Sequence, residues 1–275
     1  MEAISYEFVL AIDLSLHFPV MAGPPGYILI LSHMRSYSTL LAHLLGSHTE
    51  ISGYAERRIS YRSPLRLYGL RLRLALSRKL GGARYVLDKI LHDGYAISRS
   101  VLRQGNVVPI IMVRRPEPTL ASIFGLGALA GARPWYTDPE AVTRYYSRRL
   151  ARLAEYGSWA PDRAILVRSE DLLQETQLVL TRLTQELDLD APLSTTYRLF
   201  EHTGKPGYGD PSQRILAGQV IAAKRDRHLP GAISAAQRRR AQIAYATCLS
   251  RLAQDARDLS PTLPSAIASG AWDRG

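Results

Sequence analysis

With one cysteine in 275 residues, Cys248, the chain cannot form an internal disulfide or a cysteine-rich metal site. A reducing, cytoplasmic setting is therefore expected. No apolar run is long enough to cross a bilayer as a helix, so no integral membrane segment is expected either. Acidic residues are scarce. Asp and Glu number 24 against 35 Lys and Arg, giving a formal charge of +11 and a pI near 9.9. Preferred partners should be anionic, whether nucleic acid, a nucleotide, an acidic membrane or an acidic substrate. The opening lacks the basic stretch of a secretory signal, because Glu2, Glu7 and Asp13 stand there instead. Residues 1–22 are expected to be an extension with little structure, with Met21 available as an alternative start. No break in composition divides the remainder of the chain, so residues 23–260 are read as one domain and 261–275 as a frayed tail.

What is present centres on residues 27–46, YILILSHMRSYSTLLAHLLG. Tyr27 to Leu31 form a continuous apolar run, as in a strand buried on both faces of a parallel sheet. From Ser38 onward Leu40, Leu41, Leu44 and Leu45 recur at helical spacing, with Ser36 or Ser38 available as a cap. The turn between them would lie where helix N–H groups and the helix dipole favour an anion. Arg35 adds a charge and Ser36, Ser38 and Thr39 add hydroxyls, which makes a phosphate cradle. The glycines and the Gly-Lys-Ser/Thr ending of the nucleoside triphosphatase loop are missing. An ordinary buried strand–helix joint is the alternative.

Ile51 continues a short second strand, and Glu56 falls just past its end, at the sheet edge where open parallel sheets bind ligands. Glu56 is a candidate general base, or else a solvated partner of Arg57 or Arg58. Residues 64–79 read as a basic helix with Leu65, Leu72 and Leu76 apolar. Residues 84–89 form the next strand, which ends on Lys89. That lysine either holds a developing negative charge or pairs with Asp88 on the surface. A helix through Tyr95 to Arg103 precedes a strand over 107–113, to which Pro109 is a local objection. Arg114 then ends that strand and Ser122 lies eight residues on in the next helix, so the two could grip one anion. With Arg35 this makes two anion grips on one sheet edge, as a nucleotide phosphorylated at both 5′ and 3′ positions requires. Helices are expected over 138–156, 174–187 and 237–256, with a strand near 163–168. A glycine-rich stretch, residues 201–210, is read as a loop that moves over a ligand or as a plain turn.

At these residues the chain resembles the sulfotransferases that use 3′-phosphoadenosine 5′-phosphosulfate (PAPS). Residues 32–41, SHMRSYSTLL, are similar to that family's 5′-phosphosulfate loop, which implies donor contacts from Arg35, Ser36, Tyr37, Ser38 and Thr39. Residues 114–122, RRPEPTLAS, resemble its 3′-phosphate motif through Arg114 and Ser122, with Arg115 in place of the usual Asp. In 164–173, AILVRSEDLL, Ser169 replaces the usual Tyr of the family's Tyr-Glu-Asp-Leu strand end. Glu56 resembles the catalytic Glu of tyrosylprotein and related sulfotransferases, and Lys89 their strand-end lysine. Lys205 and Gly207 match the late loop that closes over the 3′-phosphate. The resemblance covers roughly residues 27–225. It implies an α/β fold with a mostly parallel central sheet flanked by helices, like that of nucleotide kinases. It also implies PAPS as donor, adenosine 3′,5′-bisphosphate (PAP) as product, and no metal. The acceptor is a hydroxyl on a glycan, lipid, small metabolite or peptide tyrosine. Two rival readings are a P-loop kinase-like phosphotransferase and a non-enzymatic basic nucleic-acid-binding protein. Against the second, basic and aromatic residues are not interleaved in a nucleic-acid-binding pattern, and no nucleic-acid partner is expected.

Overall fold

A computed structural model describes residues 26–77, 79–129, 131–205, 209, 210, 212–221 and 229–260. In it the apolar runs become the strands of one parallel sheet. The strands are β1 (Gly26–Ser32), β2 (Ile51–Ser52), β3 (Tyr85–Ile90), β4 (Val107–Val113), β5 (Ala164–Arg168) and β6 (Ala256–Asp258). Their order across the sheet is β2-β3-β1-β4-β5-β6, and every pairing is parallel. β1 is central and buried along its whole length, as its unbroken apolar run requires. Pro109 fits inside β4 because β5 begins to pair only at Ile110, so the missing N–H falls before that ladder starts. β6 is a short, largely polar edge strand that its sequence does not announce.

The connections are helical and cover both faces. They are α1 (Ser38–Gly46), α2 (Leu65–Leu76), α3 (Arg99–Leu102), α4 (Pro116–Phe124), α5 (Pro139–Trp159), α6 (Ser169–Gln174), α7 (Thr176–Glu186) and α8 (Ala235–Asp255). One core, with Leu29, Leu31, Ile111, Leu150 and Leu252, lies under α5 and α8. The other, with Ile28, Ile30, Leu44, Ile110 and Leu183, lies under α1 and α7. No helix among the described residues is long and apolar enough to cross a membrane. The proposed extension and tail, and the alternative start at Met21, lie outside the described residues.

Two local expectations are corrected, and one helix face is resolved. The helix expected over 95–103 is one turn, Arg99–Leu102, capped by the Ser98 hydroxyl. At α1 neither serine caps, because the residue before the helix is Tyr37, in a left-handed conformation with φ 62°. In α2 the buried leucines are Leu67, Leu70 and Leu74, whereas Leu65, Leu72 and Leu76 face outward. The segment LRLYGLRLRLAL carries leucine on both sides of the helix, so spacing alone does not say which side meets the core.

Candidate active site

The carboxyl ends of β1, β3 and β4 meet at the loop Ser32–Tyr37. Arg35 and Tyr37 both have positive φ, 63° and 62°, without being glycine. Few non-glycine residues are held there, and alternating backbone of this kind turns N–H groups towards one concavity. Buried side chains pin the loop. The Ser32 hydroxyl bonds the Ser36 hydroxyl, and Ser36 donates to the His33 carbonyl at 2.8 Å. The Ser169 hydroxyl lies 2.6 Å from the Ser36 carbonyl and 2.9 Å from that of Val113, tying the loop to β4. The serine that replaces the resemblance's tyrosine thus has a structural task. Tyr145 accepts the Met34 amide at 2.9 Å and donates to the Leu91 carbonyl at 3.0 Å, joining the loop to the end of β3.

His33 is part of this support. It is fully buried, with Nδ1–H donating to the Met34 carbonyl at 2.9 Å and Nε2 accepting the Arg114 amide at 3.0 Å. Burial pushes its pKa down to about 3, so the ring is neutral. Arg149, also fully buried, donates to the carbonyls of Ser32 and Ile90 and to Asp93 at 2.7–2.8 Å, clamping the ends of β1 and β3. Nothing in its local sequence marks this arginine apart from its neighbours on α5.

The cradle's cations are arranged differently. Lys89 is fully buried, and its ammonium donates to Thr39 Oγ1 at 3.0 Å. Burial lowers its pKa, while Glu56, Asp88 and Asp210 oppose the shift. Asp88 is no surface partner. It is buried and takes the Tyr61 hydroxyl at 2.5 Å and the Arg57 amide at 2.9 Å, and desolvation raises its pKa to about 6. The second of those bonds fixes the residue next to Glu56. Gly53, with φ 115°, lets this segment pass where a Cβ would collide with the Leu87 carbonyl. Glu56 itself is half-buried. Its Oε1 is buried with no hydrogen-bond partner among the described residues. Burial raises its pKa, against the lowering pull of Lys89, Arg58, Arg149 and the nearby Leu91 amide.

Arg35 and the β4 end come together. Arg35 Nε donates to Ser122 Oγ at 2.8 Å. Arg114 Nη1 donates to the Arg35 carbonyl at 3.1 Å, and its guanidinium lies 4.6 Å from the centre of the Tyr37 ring. The two expected grips are therefore adjoining parts of one basic surface, with Ser36, Ser38 and Thr39 buried beneath it.

Asp210, which spacing did not single out, faces this surface. Its Oδ1 lies 3.2 Å from Arg35 Nη1, and Ser212 holds both carboxylate oxygens. Its charge also reaches Lys89 and His43. Gly209, with φ 123°, brings this strand of loop so close that a Cβ would stand 2.7 Å from Thr39 Oγ1 and 3.4 Å from Lys89 Nζ. A carboxylate thus stands where an anionic ligand would meet Arg35. Lys205 is exposed and makes no side-chain bond to the cradle among the described residues, and Gly207 lies outside them. Beside the cradle a cavity of about 300 Å³ is lined by His92, Asp93, Trp135, Ala141, Arg144, Tyr145 and Arg148. It shares Tyr145 with the loop.

No protein-family model matches the sequence, and no curated protein matches it significantly. Solved structures do. The sulfotransferase domain from the curacin biosynthetic pathway aligns with a TM-score of 0.55 at 19% identity, over 82% of this chain and 99% of that one. The sulfotransferase domain of the Synechococcus PCC 7002 olefin synthase aligns with a TM-score of 0.53 at 22% identity, over 82% and 96%. At this identity the likeness speaks for architecture, and it agrees with the six-stranded parallel sheet and the strand-end loop: the chain has the fold of the sulfotransferase domains.

Proposed function

We propose that the chain, as a single catalytic domain over residues 23–260, transfers the sulfuryl group of PAPS to an acceptor hydroxyl and releases PAP. One observation carries this reading. At the strand ends of a sulfotransferase fold, a fully buried lysine with one hydrogen bond lies in the field of a carboxylate whose Oε1 is buried and unbonded. Both groups are costly as they stand, and both are suited to a reaction that passes a proton and concentrates negative charge. In this reading the acceptor oxygen attacks sulfur, the sulfur–phosphate oxygen bond breaks, and Glu56 takes the acceptor proton. Lys89 and Arg35 hold the charge that grows on the bridging and equatorial oxygens. Ser36, Tyr37, Ser38 and Thr39 line the 5′ side, while Arg114 and Ser122 take the 3′-phosphate. Lys205 and Gly207 belong to the segment that closes over it. The Arg35–Asp210 pair supports an anion at Arg35, where Asp210 stands in for it and a phosphate would be a stronger partner.

The test is PAP release from PAPS over a panel of hydroxyl acceptors, comparing the wild type with Glu56→Gln. The variant keeps the shape of the side chain but cannot take a proton. Turnover should fall by about 10²–10⁴-fold with PAP affinity unchanged. Wild-type turnover in the variant would place the base elsewhere.

A further inference from the structure

Helix α2 carries a second apolar stripe that the fold does not use. Leu67, Leu70 and Leu74 point into the core. On the opposite side Leu65 is 75% exposed, Tyr68 58%, Leu72 59% and Leu76 76%. Positions 65, 68, 72 and 76 fall on one line along a helix of 3.6 residues per turn, so these side chains form a continuous ridge. Gly69 lies on the same side and adds no bulk. Scattered exposed leucines need no explanation, but four large apolar side chains aligned on one short helix do.

The charge around the ridge selects its occupant. Arg66 and Arg73 lie exposed along one flank, whereas Arg71 on the other is half-buried with its Nη1 turned into the protein. The surrounding segment, residues 57–87, contains nine Lys or Arg and no Asp or Glu. A second copy of this chain would set one arginine-rimmed ridge against another, and like charges would oppose the contact. An anionic lipid surface satisfies both parts at once. Leucines enter the boundary between headgroups and acyl chains, while the flanking guanidiniums reach lipid phosphates.

We infer that the exposed face of α2 is a docking surface for an anionic membrane, with Leu65, Tyr68, Leu72 and Leu76 inserted and the exposed Arg66 and Arg73 at the headgroups. The observations behind it are separate from those behind sulfuryl transfer.

The test uses the full chain and sedimentation with vesicles of phosphatidylcholine alone or mixed with phosphatidylglycerol. Binding is expected to the mixed vesicles, to weaken steeply as salt rises, and to be slight on phosphatidylcholine. Leu72→Gln with Leu76→Gln changes only exposed side chains and should leave the melting temperature unchanged, while vesicle affinity falls about 10–100-fold. In Tyr68→Trp the new indole's emission should shift to the blue with the mixed vesicles and stay put with phosphatidylcholine. Equal vesicle binding by the double glutamine variant would overturn the inference, because adhesion would then be charge alone. So would absence of binding at low salt. Concentration-dependent dimerisation of the wild type, abolished in that variant, would overturn it too, by showing that a second copy covers the ridge.

Discussion

Two fully buried cations lie at the same edge of the sheet and live in opposite circumstances. Arg149 has three strong partners, the Ser32 and Ile90 carbonyls and the Asp93 carboxylate, each at 2.7–2.8 Å. Among the described residues the Lys89 side chain has one, the neutral hydroxyl of Thr39. Burying a charge is costly unless it is paired and hydrogen-bonded. Arg149 meets that condition within the protein and acts as a clamp. Lys89 has no such set of hydrogen bonds, and in the proposed reaction the transferred group would supply the missing partner, beside the more distant charges of Glu56, Asp88 and Asp210. The number and kind of partners, more than burial itself, separates the two cations, and it is what makes Lys89 the one proposed to meet an anion.

Replacement should break this contrast most visibly at Arg149. Arg149→Met strands two strand-end carbonyls and the Asp93 carboxylate, so the protein should lose about 3–5 kcal/mol of stability. Denaturant unfolding would reveal it. A loss within experimental scatter would mean that the clamp is ornamental.

Lys89→Met should do the reverse. The lysine's pKa is lowered by burial, so between that lowered value and its ordinary one near 10.5 the unfolded chain binds more protons than the folded chain. Wild-type stability from this group therefore rises with pH through that window, and below it the buried charge is a penalty. The methionine variant should melt no lower than wild type at neutral pH and should lack that alkaline rise. Its turnover should nonetheless fall by about 10²–10³-fold. A lower melting temperature with turnover intact would make Lys89 a second clamp.

The smallest effect belongs to Asp210. Its pair with Arg35 is partly exposed, and such pairs contribute roughly 0.2–1 kcal/mol. Asp210→Asn should tighten PAP binding by about two- to fivefold in a calorimetric titration, since a competing anion is gone. Weaker binding would show that the carboxylate orders the cradle.

Much of this architecture is legible in the sequence, because strands buried on both faces read as apolar runs. The strand expected over 107–113 is found with those bounds despite Pro109. The sheet edge at which Glu56, Lys89, Arg35 and Arg114 gather follows from their positions at strand ends. The hidden features depend on distance along the chain or on degenerate patterns. The Arg35–Asp210 pair spans 175 residues, and Arg149 reaches 117 residues back to Ser32. The left-handed turn at Arg35 and Tyr37 carries no glycine to announce it. Leucine on both sides of α2 hides which face is buried, and β6 is too short and too polar to stand out.

The most direct measurement is the melting temperature with PAP, and with AMP at the same concentration. A ligand that binds only the folded state at about 100 times its Kd adds roughly 2.7 kcal/mol, or about 5–10 °C for a chain of this size. PAP should give such a shift and AMP much less, and Arg114→Ala should shrink the difference between them, because AMP has no 3′-phosphate for that arginine to hold. Equal shifts from PAP and AMP, unchanged by Arg114→Ala, would contradict the doubly phosphorylated nucleotide and with it the proposed transfer.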